Sequence, residues 1–201
     1  MHGEFPTPCE MAMAFCKTCR PMTGESPVPG ILARATAEGL EAVHIGPAWP
    51  NGIGSAADGS GAIYLADFAT GTVLKILPDR RAEALATLDE GHADGLAVDS
   101  TGRIWVATGP GATLVALTPR GSVDRRVHLP VGFVSSVALG LGGAGALVAV
   151  GGRADGTGGI LQMDLGVEGV SMPPATLPLD LVWRHLSRSR VRGPSSTRFT
   201  D

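Results

Sequence analysis

Along the middle of the chain, apolar runs of four to six residues, rich in Ile, Val and Leu, alternate with polar Asp-Gly, Thr-Gly and Arg-Gly pairs. Such runs predict short strands, and such pairs predict tight turns, because glycine supplies the positive φ that a narrow hairpin needs. The pattern repeats. Asn51-Gly-Ile-Gly-Ser-Ala-Ala-Asp58-Gly is followed by Ala62-Ile-Tyr-Leu-Ala-Asp67 and Thr72-Val-Leu-Lys-Ile76. A second copy runs Asp94-Gly-Leu-Ala-Val-Asp99-Ser-Thr-Gly, then Arg103-Ile-Trp-Val-Ala-Thr108, then Thr113-Leu-Val-Ala-Leu117. Asn51 and Asp94 are 43 residues apart, while Ile63 to Ile104 and Thr72 to Thr113 are each 41. A weaker third copy follows in Ser136-Val-Ala-Leu, Ala146-Leu-Val-Ala-Val150 and Gly159-Ile-Leu-Gln-Met163.

A period of about 40 to 45 residues built from strand runs is the mark of propeller blades. Glu83–Leu88 and Ser122–Leu129 fit the outer, half-solvated strand of their units, which brings each to the four strands of a blade. Upstream, Gly30–Ala35 and Glu41–Ile45 predict two outer strands of an earlier blade. Met1–Met22 shows no strand alternation and is expected to supply no inner partner for them. The predicted organisation is therefore an unassigned segment at 1–24, propeller blades over 25–176 and an Arg- and Ser-rich tail at 177–201, expected to be disordered.

Composition sharpens this picture: 29 Gly and 15 Pro among 201 residues, with 4% aromatics, favour many turns over long helices. The expected class is all-β, with about three and a half blades. A formal net charge of −3 gives no broad positive field for a phosphate backbone, so nucleic acid is not an expected partner. The longest apolar runs, such as Ala144–Val150, fall far short of the roughly 20 residues of a membrane helix. Neither a membrane span nor a signal peptide is expected, and the three cysteines, Cys9, Cys16 and Cys19, staple no distant parts together, which fits the cytoplasm.

Trp49-Pro50-Asn51-Gly52-Ile53, His92-Ala93-Asp94-Gly95-Leu96-Ala97-Val98-Asp99 with Gly102-Arg103-Ile104-Trp105-Val106-Ala107, and Gly166-Val167-Glu168-Gly169-Val170 occur in that order. Together they resemble the senescence marker protein/regucalcin/gluconolactonase family of six-bladed propellers, over roughly residues 25–174. The resemblance implies one divalent cation at the mouth of the channel, held by Asn51 and Asp94, with calcium, zinc, magnesium or manganese as the candidates. It also implies Asp94 as the group that takes a proton from water, and a sugar lactone or similar cyclic ester as substrate. The family's further metal-binding Glu has no matching motif in Met1–Met22, and His92-Ala93 stands where Pro ordinarily precedes Asp-Gly.

On residue type alone, Asn51-Gly52 and Asp94-Gly95 are common hairpin dipeptides; their equivalent placement in successive repeats sets them apart. Asp67 either lines the channel or caps a turn, Asp99 reads as a turn former, and Trp49 and Trp105 read as core packing. Gly140–Gly145 matches Gly-x-Gly-x-x-Gly, but a strand follows it, which excludes a pyrophosphate-binding helix. No His-Glu-x-x-His and no Gly-x-Ser-x-Gly occurs. Arg184, Arg188, Arg190 and Arg192 read as a solvated basic tail. Two functions stay open: a metal-dependent lactonase-type hydrolase, active or inactivated by truncation, and a non-catalytic propeller fragment for binding or assembly. Unpaired blades would also permit self-association.

Overall fold

The computed structural model describes residues 11–15, 30–36, 39–140, 145–151 and 157–170. Within them the chain is all-β, a run of antiparallel meanders in sequence order. The first sheet holds β1 (Met11–Phe15), β2 (Ile31–Thr36) and β3 (Gly39–Ile45). The second holds β4 (Pro50–Ser55), β5 (Ile63–Asp67), β6 (Thr72–Ile76) and β7 (Ala82–Thr87). The third holds β8 (Leu96–Val98), β9 (Ile104–Ala107), β10 (Thr113–Leu117) and β11 (Val123–His128). The fourth described sheet holds β12 (Phe133–Leu139), β13 (Gly145–Gly151) and β14 (Gly159–Asp164).

Each repeat unit is thus one blade, and the turns that join its strands fall where the sequence places them. Gly102 and Gly121, which follow Thr101 and Arg120, adopt φ of 87° and 86°, the left-handed backbone that a side chain resists. Met11–Phe15 departs from expectation: it forms β1 and pairs with β2 from Met11↔Ala35 to Phe15↔Ile31. Its Met-Ala-Met-Ala-Phe run is a period-two alternation of large and small residues. Its shortness hid that pattern, because five residues between polar and Pro-containing flanks carry little periodic signal. The cysteines and the basic tail lie outside the described residues.

Burial explains the order of strands within a blade. All five residues of β10 and all four of β9 are buried, because blades pack face to face and a middle strand has a neighbour on both sides. On β9, Ile104 and Val106 join Tyr64, Val73 and Leu96 in one cluster, while Trp105 and Ala107 join Val134, Val137 and Val148 in the next. That is period-two alternation serving two interfaces at once. Full burial of each such Val, Leu or Ile contributes about 1.5–3 kcal/mol. The outer strands β7 and β11 are mostly exposed, as their polar residues require.

The innermost strands β4, β8 and β12 stand side by side and wall a cleft of about 250 Å³, lined by Ile53, Ser55, Leu96, Val98, Val137 and Leu139 among others. At its far end the Gly166–Val170 motif crosses the cleft. Ser100 N–H donates to the Glu168 carbonyl (2.8 Å), and Val170 N–H donates to the Val98 carbonyl (3.3 Å). Among the described residues no helix is long and apolar enough to cross a membrane.

Candidate metal centre

The near end of the cleft, where the inner strands begin, carries the predicted site. Asn51 and Asp94 are not hairpin turns. Asn51 and Gly52 lie in a bulge of β4, between the pairs Pro50↔Asp67 and Ile53↔Leu65, so that two residues oppose Ala66 alone. Asp94 and Gly95 make the same bulge ahead of β8. Asp94 N–H donates to the Ala107 carbonyl and Ala107 N–H donates to the Gly95 carbonyl, both at 2.8 Å. Bulges of this kind re-aim a side chain out of the pleat and are common beside active sites.

The glycines lock neighbouring blades together at this level. Gly52 N–H donates to the Asp94 carbonyl at 3.1 Å. A Cβ on Gly52 would come within 2.7 Å of the Asp94 carbonyl oxygen and 2.8 Å of the Gly95 carbonyl carbon. The two candidate ligands are therefore set on adjacent strands by a backbone approach that only glycine permits.

Asp94 is only 6% exposed, and its carboxylate accepts no hydrogen bond from the described residues. Burial pushes its carboxyl up to about 6, against the opposing pull of nearby His92. An ionised, buried, unpartnered carboxylate is costly, and a cation is the partner that relieves the cost most fully. Asn51 is exposed beside it. An amide oxygen with a carboxylate is a hard donor pair, so the residues fit calcium, magnesium or manganese, and zinc also accepts such oxygens. Among the described residues no three His, Cys, Asp or Glu side chains converge on one point.

Aromatic rings border the same end. His92 stacks on Phe68 with centroids 4.5 Å apart, Trp49 meets Phe68 edge-on at 5.0 Å, and Phe133 stacks at 6.5 Å. The His92 Nδ1–H donates to the Phe68 carbonyl at 3.1 Å, which leaves Nε2 available. Trp49 is therefore only half-buried and borders the site, unlike Trp105, which is core at 1% exposure. This cluster joins three blades and was not visible as a unit in the sequence. The one hint was His92-Ala93 standing ahead of Asp94-Gly95.

The remaining acidic residues resolve cleanly. Asp67 accepts hydrogen bonds from the backbone N–H groups of Ala48 (2.9 Å), Trp49 (2.8 Å) and Ala69 (3.3 Å), so it caps the turn that carries Trp49. Asp99 accepts from the N–H groups of Thr101 and Arg103, from the Thr101 hydroxyl and from the indole Nε1–H of Trp105. Both serve the scaffold.

Comparison with known proteins agrees with this architecture. Residues 12–148 match the family described as the SMP-30/Gluconolactonase/LRE-like region. Comparison with curated proteins gives no match. Among solved structures, a luciferin-regenerating enzyme superposes with a TM-score of 0.66 at 22% identity, covering 76% of this chain and 57% of that one. Regucalcin from Agrobacterium tumefaciens, a calcium-binding protein, gives 0.61 at 19%, covering 75% and 57%. A gluconolactonase from Xanthomonas campestris gives 0.54 at 18%, covering 62% and 42%. The chain thus spans 57% of the length of the first two and 42% of the third, and carries part of their six-bladed propeller. It belongs to the SMP-30/gluconolactonase/LRE-like family.

Proposed function

We propose that this chain carries the metal-binding half of a lactonase-type hydrolase acting on a sugar lactone or similar cyclic ester. One observation carries the proposal above others: the carboxylate of Asp94, only 6% exposed and with no hydrogen-bond donor among the described residues, beside Asn51 at the head of the cleft. Asn51 and Asp94 would hold one divalent cation, which when bound supplies Lewis-acid polarisation of the ester carbonyl and of water. Regucalcin's description as a calcium-binding protein supports calcium as the first cation to test.

The chain's own groups account for the rest of the reaction. The Asp94 carboxylate would take the proton of an attacking water. The water oxygen adds to the carbonyl carbon, the ring C–O bond breaks, and the proton passes to the departing alkoxide to give the hydroxy acid.

A second function, a non-catalytic binding or assembly module, is favoured by the lack of a third converging acidic or His ligand among the described residues. Calcium, magnesium, manganese and zinc titrations, read by thermal melting beside Asp94→Ala, test the cation site. Lactone hydrolysis at saturating cation then decides between the functions. A melt raised by cation in the wild type but not in Asp94→Ala, together with hydrolysis above the uncatalysed rate, is the expected outcome. Cation binding with hydrolysis at background would favour the binding module. No cation response in either protein would overturn the metal centre.

A further inference from the structure

The bulges that aim Asn51 and Asp94 are two of three. In β12, Val134 pairs with Val150 and Ser136 with Ala149, which leaves Ser135 as the extra residue of a third bulge. The lone partner is alanine each time: Ala66 for Asn51-Gly52, Ala107 for Asp94-Gly95, and Ala149 for Ser135-Ser136. The bonds between blades repeat in the same way. Gly52 N–H donates to the Asp94 carbonyl at 3.1 Å, and Gly95 N–H donates to the Ser135 carbonyl at 2.9 Å. A Cβ on Gly95 would meet the Ser135 carbonyl oxygen at 2.8 Å, just as one on Gly52 would meet the Asp94 carbonyl oxygen at 2.7 Å. Ser135 is therefore related to Asp94 as Asp94 is related to Asn51.

Resting on the cation site proposed above, we infer that Ser135 supplies a third protein oxygen to it, from the third consecutive blade. The side chain is suited to the task. Its Oγ–H donates to the Ala149 carbonyl at 3.3 Å, which turns the proton towards the sheet and leaves both oxygen lone pairs free. It is half-buried rather than sealed. A neutral hydroxyl also suits calcium, which accepts many oxygen ligands in flexible geometry and whose affinity follows the number and charge of those ligands. The sequence alone pointed one residue away, to Ser136, because the repeat offsets vary by one or two and only the ladder register separates the two serines.

The test is calcium binding by calorimetry, with terbium luminescence as a second probe, on the whole chain and on Ser135→Ala, Ser135→Asp and Asp94→Ala. Ser135→Ala should weaken calcium binding by roughly tenfold, and Ser135→Asp, which adds a charge at the same point, should tighten it by roughly tenfold. Melting in chelator checks that each variant folds. Asp94-dependent calcium binding that neither Ser135 variant alters would overturn the role of Ser135 and leave the cation site standing. No calcium or terbium binding by the wild type would overturn both. A Ser135→Ala loss accompanied by no gain in Ser135→Asp, with both variants folded, would also count against Ser135 as a ligand, since a bulge merely disturbed would weaken binding in both.

Discussion

Asp94 and Asp99 lie on either side of the three-residue strand β8, both almost wholly buried, and they are opposites in chemistry. At the far end of the cleft, Asp99 is saturated. Burial acts to raise its carboxyl, but the side chains of Thr101 and Trp105 and the backbones of Arg103 and Thr101 outweigh that and hold it below the usual carboxylate range. At the near end, Asp94 is buried with no donor among the described residues, and its carboxyl rises to about 6. One sequence pattern, Asp94-Gly-Leu-Ala-Val-Asp99, thus holds a structural carboxylate and a chemically available one. The difference lies in where the N–H groups point. The tight turn Asp99–Gly102 folds its donors back on its own first residue, whereas the bulge at Asp94 commits the neighbouring N–H groups to Ala107 and Ser135.

The largest effect should come from removing the saturated member. Asp99→Ala leaves the buried indole N–H of Trp105 and two turn N–H groups without acceptors, at a cost of about 3–5 kcal/mol of stability. Urea unfolding followed by Trp fluorescence measures it. A loss under 1 kcal/mol would mean that Asp99 does not hold the turn. Next should come Gly52→Ala, whose Cβ would press on the Asp94 and Gly95 backbone and cost about 1–3 kcal/mol, with cation binding weakened beyond what stability explains. If Gly52→Ala unfolded like the wild type, the close approach between β4 and β8 would not be what sets the two ligand positions.

The sequence made the scaffold readable because propeller blades repeat. Turn glycines such as Gly102 and Gly121, and apolar runs such as Ile104–Ala107, carry the period openly, and Asn51 with Asp94 could be singled out by their matched places in it. What stayed hidden was set by ladder register and by packing across blades. A bulge shifts the register by one residue without changing composition, so Ser135 cannot be told from Ser136 on paper. The aromatic group of Trp49, Phe68, His92 and Phe133 gathers residues up to 84 positions apart, which no local period links. β1 escaped for a different reason: an isolated five-residue strand takes its stability from β2, and local propensity gave little sign of it.

The smallest effect is the most discriminating, because its sign is opposite to the first. An acid whose folded-state ionisation is raised, from about 3.9 in an unfolded chain to about 6, is protonated in both states below about pH 3 and costs nothing there. As pH climbs through 4 to 6 the unfolded chain ionises first, so the folded state loses stability, and above 6 the whole penalty is present. Asp94→Asn removes that penalty and keeps the shape. It should raise stability at pH 8 by about 1–2 kcal/mol, less than the ionisation alone would give because the amide is itself buried with no partner among the described residues, and should change little at about pH 3. Calcium should reverse the order, since only the wild type gains stability from a bound cation in proportion to ln(1 + [L]/Kd). Melting curves of both proteins at about pH 3 and pH 8, with and without calcium, give the eight values needed. If Asp94→Asn were destabilising at pH 8 without calcium, Asp94 would be another scaffold carboxylate like Asp99, and the contrast between the two ends of β8 would fall.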